Sequence, residues 1–203
     1  MRQSDRQAGA GADSIGQVIG GRVRQGRGSR GWTLDQLAER SGVSRRMLVS
    51  IEQGSANPSI ATLLRIGDAL GIGLPALVDM DDQPGLRVTR AGNAPVLWHG
   101  TQGGRAVLVA GTEPPDVTEL WDWTLRPGES HSSEAHAAGT RELLLVLEGQ
   151  VELKVGQHAE VLATGDSASF AGDLAHEYVN ADSAQVARFA LTVFEPAVGG
   201  GAR

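Results

Sequence analysis

The chain has 203 residues, of which 40% are apolar and 21% are charged, and these values suit a folded protein of one large or two small domains. It contains no cysteine, which excludes disulfides and thiolate metal sites. The net charge of −6 is unevenly distributed. Residues 1–80 hold ten Arg against seven acidic residues, whereas residues 81–203 hold eight basic and seventeen acidic residues. This asymmetry predicts that only the N-terminal part meets an anionic partner.

Local composition divides the chain into five segments. Residues 1–16 are rich in Gly, Ala, Ser and Gln without apolar periodicity, and we interpret them as a disordered tail. Residues 17–80 have a helical pattern, and residues 81–95 begin with an acidic stretch containing Pro and Gly that predicts a linker. Residues 96–196 have short β-prone runs between turn pairs, and residues 197–203 are predicted to be a flexible tail. Because no signal-peptide or membrane-spanning pattern is found, we expect a cytoplasmic protein.

The helical segment predicts an all-α domain of five short helices. Thr33 and Gln36 have the spacing of a capping box at the start of the second helix. Ser44 is predicted to cap the third helix. Three apolar side chains at helical spacing are predicted to form the buried side of this third helix: Met47, Leu48 and Ile51.

The first helix contains an unusual number of glycines. Gly20, Gly21, Gly26 and Gly28 each cost about 1 kcal/mol of helix stability relative to alanine. We therefore expect this helix to be loosely packed against the rest of the domain.

The string from Thr33 to Ser59 resembles the Cro/C1-type (XRE) helix-turn-helix family. Leu-Ala, Gly-Val-Ser, Ile-Glu and Asn-Pro-Ser all fall at that family's spacings, and the resemblance covers about residues 18–80. It implies a DNA-binding domain whose third helix enters the major groove. The residues that it places at the DNA are Thr33, Ser44, Arg45, Arg46, Val49 and Ser50. The alternative is that the two arginines are only a solvated surface.

Two stretches of the β-prone segment carry a second resemblance. The first runs from Pro127-Gly128 through His136 to Glu142 and Gly149, and the second runs from Gly165 through His176 to Asn180. They resemble the two cupin motifs over roughly residues 96–195. The resemblance implies an all-β double-stranded β-helix, a jelly-roll that is closed into a small barrel.

Glu142 is the strongest candidate for a polar group inside this barrel. It alternates with Leu144 and Val146 along one predicted strand, so it shares their inward face. A buried carboxylate is costly unless it is paired or bound to a cation. The pattern therefore predicts a ligand-binding site at Glu142.

The cupin resemblance implies a metal-ligand set that this chain only partly retains. His136, Glu142 and His176 fall at ligand positions, but Ala138 stands where metal-binding cupins have a second histidine. Two histidines and one carboxylate suit a divalent metal such as Fe, Zn, Ni or Mn. The alternative that we prefer is that the three side chains bind a small ligand or one another without a metal. His131 would replace the missing ligand only if the predicted loop 129–138 folded back.

Together the two resemblances are similar to the helix-turn-helix/cupin transcription factors. They imply a homodimeric, non-enzymatic regulator that binds operator DNA and senses a small-molecule effector in the barrel. One alternative is an iron-dependent cupin oxidoreductase, similar to phosphonate epoxidases, with a vestigial helical head. Another is a DNA-binding protein whose barrel only dimerises.

Overall fold

The computed structural model describes residues 4–78, 86–182, 184–196 and 198. The chain forms two compact units, one N-terminal and ending at Arg87, the other spanning Val88–Ala197. The acidic stretch 81–85 of the predicted linker lies outside the described residues, as does most of the predicted tail at 197–203. Within the described ranges, no helix combines the length and the apolar character that a membrane span requires.

The N-terminal unit contains the five helices that the sequence predicts. They are α1 (Ser4–Ser29), α2 (Leu34–Ser41), α3 (Arg45–Glu52), α4 (Ile60–Leu70) and α5 (Leu74–Val78). The first helix begins at Ser4, within the segment 1–16 that we interpreted as a disordered tail. That interpretation depended on the absence of apolar periodicity, which does not measure the high helix propensity of alanine.

The predicted capping signals set the start of α2 and α3. The Gln36 backbone N–H donates to Thr33 Oγ1 at 3.2 Å, and the Thr33 N–H donates to Gln36 Oε1 at 2.8 Å, which confirms the capping box. Ser44 caps α3 by accepting a hydrogen bond from the Met47 backbone N–H. Between the two helices, Gly42 adopts a left-handed conformation with φ of 66°, which allows the tight turn.

The glycines of α1 allow close packing, contrary to our expectation of a loose helix. A Cβ at Gly20 would overlap the carbonyl oxygen of Ile51, so α1 approaches α3 by backbone contact. At Gly26 the space of a side chain is filled by Leu70 and Ile72, the latter 2.7 Å from an ideal Cβ. Neighbouring apolar groups therefore occupy the space that a side chain at position 26 would need.

The described residues of the C-terminal unit form ten strands. They are β1 (Val96–His99), β2 (Arg105–Gly111), β3 (Val117–Leu125), β4 (Ser130–Ser133), β5 (Arg141–Glu148), β6 (Gln150–Val155), β7 (His158–Ala163), β8 (Ser167–Ala171), β9 (His176–Val179) and β10 (Ala187–Glu195). They form two antiparallel sheets with the orders β1-β2-β3-β10-β5-β8 and β4-β9-β6-β7. This arrangement confirms the double-stranded β-helix, although the two sheets are not closed into one continuous barrel.

The core of this unit lies between the sheets and is rich in aromatic rings. Trp123 of the larger sheet stacks on Phe189 and lies 5.6 Å, between ring centroids, from Tyr178 of the smaller sheet. The alternation along β5 buries Glu142, Leu144 and Val146, as the sequence predicts. The opposite face of the larger sheet exposes five large apolar side chains: Leu120, Leu143, Leu145, Leu147 and Phe194.

Candidate DNA-reading helix and candidate metal centre

Helix α3 has one buried and one exposed side. Leu48 and Ile51 are fully packed in the core of the helical unit, whereas Arg45 and Arg46 in its first turn are exposed. This arrangement presents two cationic side chains at the N-terminal end of the helix. Side chains at that end of a recognition helix are the ones that reach base edges in helix-turn-helix proteins.

Met47 does not belong to the buried side, and our prediction for it is wrong. Its side chain is 41% exposed. Leu48, Ile51 and Glu52, at spacings of three and four residues, already fill the inward stripe of this helix. Met47 therefore lies beside Arg46 on the exposed side, as an apolar group that sequence reasoning assigned to the core.

A partly buried ion pair fixes α3 against α1. Arg27 donates to both carboxylate oxygens of Glu52, with Nε–Oε1 of 2.6 Å and Nη2–Oε2 of 2.9 Å. Arg24 adds a hydrogen bond to the Glu52 carbonyl at 2.7 Å. Bidentate pairs of this kind define orientation as well as energy. The direction in which α3 presents Arg45 and Arg46 is therefore held by helix α1.

The other predicted DNA-contacting residues surround the first turn of α3. Thr33 and Ser44 are exposed N-cap residues of neighbouring helices, and Val49 and Ser50 are half-buried on α3. Arg45 pairs with Asp35 of α2, with a distance of 3.2 Å between Nε and Oδ1. Both partners are largely exposed, so this pair contributes little to stability.

In the C-terminal unit, three side chains converge from different elements. Glu142 comes from β5 of the larger sheet, His176 from the start of β9 of the smaller sheet, and His136 from the segment between β4 and β5. One ligand atom from each lies within 4.8 Å of the others. The segment that carries His136 is tied to the turn after β8, because its own N–H donates to the Gly172 carbonyl at 2.9 Å.

Asp173 has a structural role in the same turn. Its Oδ2 accepts a hydrogen bond of 2.8 Å from the Gly139 N–H and so holds the loop that follows His136. The hydrogen bond ties this loop to the turn after β8.

Tyr178 is a member of the site that the sequence analysis missed. Its hydroxyl donates to Glu142 Oε2 across the two sheets at 2.6 Å, and both side chains are buried. Burial, followed by the charge of Glu142, raises the pKa of Tyr178 well above its usual value. The tyrosine is therefore a permanent donor that orients the carboxylate. Its spacing of two residues from His176 on one strand is the only signal that could have revealed it.

The second carboxylate oxygen, Glu142 Oε1, faces the two imidazoles. It lies 3.2 Å from His136 Nε2 and 3.3 Å from His176 Nε2. The directions of these approaches do not meet hydrogen-bond geometry, so this buried oxygen has no hydrogen-bond partner among the described residues. Nδ1 of His176 donates to the Leu174 carbonyl, 2.8 Å away, so Nε2 is the ring nitrogen that faces the carboxylate.

This donor set fits a divalent cation. Two imidazole nitrogens and a carboxylate oxygen point at one place, and a buried acceptor without a donor is costly in the absence of a cation. The absence of a side chain at Gly172 preserves this space, because a Cβ there would lie 2.8 Å from Glu142 Oε1. A protonated imidazole paired with Glu142 is the metal-free alternative.

His131 lies near the three side chains but outside their cluster. It belongs to β4, which pairs with β9, so the start of the predicted loop 129–138 is a strand. The centroid of its ring lies 4.7 Å from the ring centroid of Trp123. Burial, followed by the nearby imidazoles of His176 and His136, lowers its pKa to about 4. His131 is thus an uncharged side chain that lines the interior at physiological pH.

Comparisons with known proteins agree with both halves of the chain. Residues 23–77 match the family described as Helix-turn-helix, and residues 121–194 match the family described as Cupin domain. An uncharacterized HTH-type transcriptional regulator of Sinorhizobium fredii is 33% identical over 67 residues, which are 33% of this chain and 87% of that protein. The chain belongs to the HTH-type transcriptional regulators.

Similarity to longer relatives extends over both units of this regulator. The HTH-type transcriptional regulator SutR of Escherichia coli is 28% identical over 171 residues, which cover 83% of this chain and 90% of that protein. The crystal structure of an HTH_3 family transcriptional regulator from Vibrio cholerae superposes with a TM-score of 0.66 at 25% identity. That superposition covers 91% of the regulator and 99% of the other chain.

Proposed function

We propose that the regulator binds operator DNA through the exposed first turn of α3 and that its cupin unit senses a small-molecule effector. The observation that carries the DNA-binding proposal is the opposite placement of the two sides of α3. Leu48 and Ile51 anchor the helix in the core, while Arg45 and Arg46 are exposed at its N-terminal end.

Each residue near α3 then has a role at the duplex. Arg46 suits a bidentate contact with guanine O6 and N7 in the major groove. Arg45 exchanges Asp35 for DNA, which adds base or phosphate contacts at little cost because the pair is exposed. The remaining contacts, to phosphates and to neighbouring bases, are assigned to Thr33, Ser44, Val49 and Ser50.

We further propose that the regulator acts as a homodimer on a pseudo-palindromic operator. Two recognition helices related by a two-fold axis meet half-sites about 34 Å apart, one turn of the duplex. The row of exposed leucines on β5 supports this proposal, because large exposed apolar patches mark interaction surfaces.

The sensing proposal is supported by the convergence of His136, Glu142 and His176 between the sheets. These three side chains would hold a divalent metal. A bound metal would supply Lewis-acid capture of an effector that carries an oxygen or nitrogen donor. Tyr178 keeps Glu142 oriented for this purpose.

The test of DNA binding compares operator and random duplexes at one salt concentration, since phosphate contacts make affinity salt-dependent. Arg46→Ala should weaken operator binding by about 1–3 kcal/mol and affect the random duplex less. Arg105→Ala, which removes an exposed arginine of the cupin unit, is the matched control and should change neither. Equal losses on both duplexes for Arg46→Ala would contradict a base-reading role.

A second candidate function, an iron-dependent oxidoreductase, is favoured by one observation, the two-histidine-one-carboxylate set. It is tested by measuring oxygen consumption of the Fe(II)-loaded chain with hydroxyalkylphosphonates. We expect no turnover, and we expect a ligand of the cupin unit to change operator affinity instead. Steady oxygen consumption that is lost in Glu142→Gln would establish the enzyme.

A further inference from the structure

A second polar cluster lies on the inner face of the larger sheet. Glu119 of β3 and Glu195 of β10 are both buried, Glu119 with only 2% of its surface exposed. The strand register places Glu119 and Glu142 on opposite sides of Val193. The two carboxyl groups therefore face the same interior from strands two spacings, about 10 Å, apart.

Two buried polar atoms of this face lack partners. Glu119 Oε2 accepts a hydrogen bond of 2.9 Å from Trp121 Nε1, but Glu119 Oε1 has no hydrogen-bond partner in the described part of the chain. The same is true of Trp123 Nε1, on the same face of β3. Buried polar atoms without partners are rare in folded proteins, and a bound ligand is one of their ordinary explanations.

The charges around Glu119 determine whether a cation or an anion would be favoured as a ligand. Among the described residues, the buried charged groups of the cupin unit are acidic or imidazole side chains, and neither lysine nor arginine is among them. Burial, followed by the negative charge of Glu195 and, more weakly, that of Glu142, raises the pKa of Glu119 to about 8, against the lowering effect of the Trp121 hydrogen bond. An added anion would increase this repulsion, whereas a cation relieves it.

The neighbouring rings select an organic cation over a metal ion. Trp121 and Trp123 lie on the inner face of β3 with Glu119, and indole rings attract ammonium groups. Within the described residues, the one metal-ligating cluster found is that of His136, Glu142 and His176, and Glu119 is not a member of it. The surroundings of Glu119 thus combine a carboxyl oxygen without a partner, a negative field and aromatic surfaces.

We propose that Glu119 binds the ammonium group of an organic amine in the interior of the cupin unit, beside Trp121 and Trp123. This inference rests on the proposed sensing function for its biological meaning, since it names the chemical class of the effector. The binding itself is independent of DNA.

The test is isothermal titration of the full chain with n-propylammonium to n-hexylammonium ions, with the matching carboxylates as anionic controls. Glu119→Gln should weaken alkylammonium binding at least tenfold. Glutamine reproduces the shape and neutrality of the protonated acid, so the variant should keep its fold, which circular dichroism checks. Glu160→Gln, which changes an exposed acid of β7, should bind like the unmodified chain.

The pH dependence gives a second, independent readout. The carboxylate form of Glu119 pairs with the ammonium, so binding releases a proton below the pKa of about 8. Raising the pH from 7 to 8 increases the ionised fraction, and hence the affinity, about fivefold. The Glu119→Gln variant should lose this dependence. A pH dependence that persists in the variant would instead come from Glu195 or Glu142, the other acids that face this interior, and would contradict the role of Glu119.

Absence of alkylammonium binding at millimolar concentration, or binding of the carboxylates instead, would overturn the inference. Because these titrations contain no DNA, their failure leaves operator recognition by α3 unaffected. Conversely, an amine that binds through Glu119 without changing operator affinity would contradict the sensing role alone.

Discussion

At the scale of single residues, the orientation of the Glu142 carboxylate decides what the cupin unit can bind. One of its carboxylate oxygens is fixed by Tyr178, and the other faces two imidazole nitrogens. The tyrosine thereby restricts rotation of the carboxylate group away from a bound cation. A metal site that depends on three protein ligands depends strongly on such orientation.

We therefore predict that Tyr178→Phe lowers metal affinity about 10–100-fold, because the variant leaves Glu142 Oε2 without its donor. The phenyl ring keeps the contacts with Phe189 and His176, so the packing of the core is retained. Competition of the regulator with a chromogenic chelator for Zn²⁺ measures the effect, and thermal denaturation of the metal-free chain serves as the control. Unchanged affinity would show that the hydrogen bond is only structural.

Residue-scale predictions from the sequence succeeded where burial followed a simple period. The alternation along β5 correctly placed Glu142 inside, and the cupin spacing brought His136 and His176 to it. Met47 was misplaced because a short helix has room for one apolar stripe, and sequence spacing did not show which residues would fill it. The burial of Glu119 was not predicted, although the alternation along β3 places it on the same face as Trp121 and Trp123.

At the scale of elements, the contact between α1 and α3 controls how the recognition helix is presented. The contact combines the Arg27–Glu52 pair with the close approach of the helices at Gly20. Neither feature could be predicted from sequence periodicity, because a buried ion pair and a glycine contact both depend on the angle at which two helices meet.

We predict that Gly20→Ala destabilises the helical unit, because the added Cβ overlaps the Ile51 carbonyl and must displace α1. Gly21→Ala is a matched control, since a Cβ at this neighbouring position meets nothing within 4 Å. The control should stabilise the helix by about 1 kcal/mol. Thermal denaturation measures both, and operator binding should fall only for Gly20→Ala. Similar behaviour of the two variants would contradict the close contact.

The helix and strand boundaries were predictable to different degrees. The starts of α2 and α3 follow from capping side chains whose hydrogen bonds are local, so the sequence contains the whole signal. β4 was assigned to a loop because its four residues, Ser130–Ser133, are polar, and a strand of this kind exists only through pairing with β9. A polar segment that becomes a strand only by long-range pairing has no alternation of apolar and polar residues in its sequence.

At the scale of the whole molecule, the exposed apolar face of the larger sheet predicts the oligomeric state. Three neighbouring strands, β3, β10 and β5, contribute its apolar side chains, and the register places Leu120, Thr192 and Leu143 in one row. A two-fold axis would allow this patch to cover the same patch of a second copy.

We predict that Leu145→Glu converts the proposed homodimer into a monomer, because it introduces a charge among the exposed apolar side chains of this face. Val161→Glu, at an exposed position of β7 in the smaller sheet, should leave the dimer intact. Light scattering coupled to gel filtration gives the mass of each variant. A monomer in the unmodified chain, or a dimer that persists in Leu145→Glu, would exclude this interface.

The distribution of aromatic side chains gives the regulator an intrinsic optical reporter. Trp98, Trp121 and Trp123 belong to the cupin unit, and the one tyrosine of the chain, Tyr178, lies 5.6 Å from the ring of Trp123. Trp32, the remaining tryptophan, lies in the helical unit beside the guanidinium of Arg40. Emission from the first three should respond to an occupant of the interior, while emission from Trp32 stays constant. A fluorescence change on titration with metal or amine should therefore survive in Trp32→Phe with its full amplitude, whereas its disappearance there would place the signal in the helical unit.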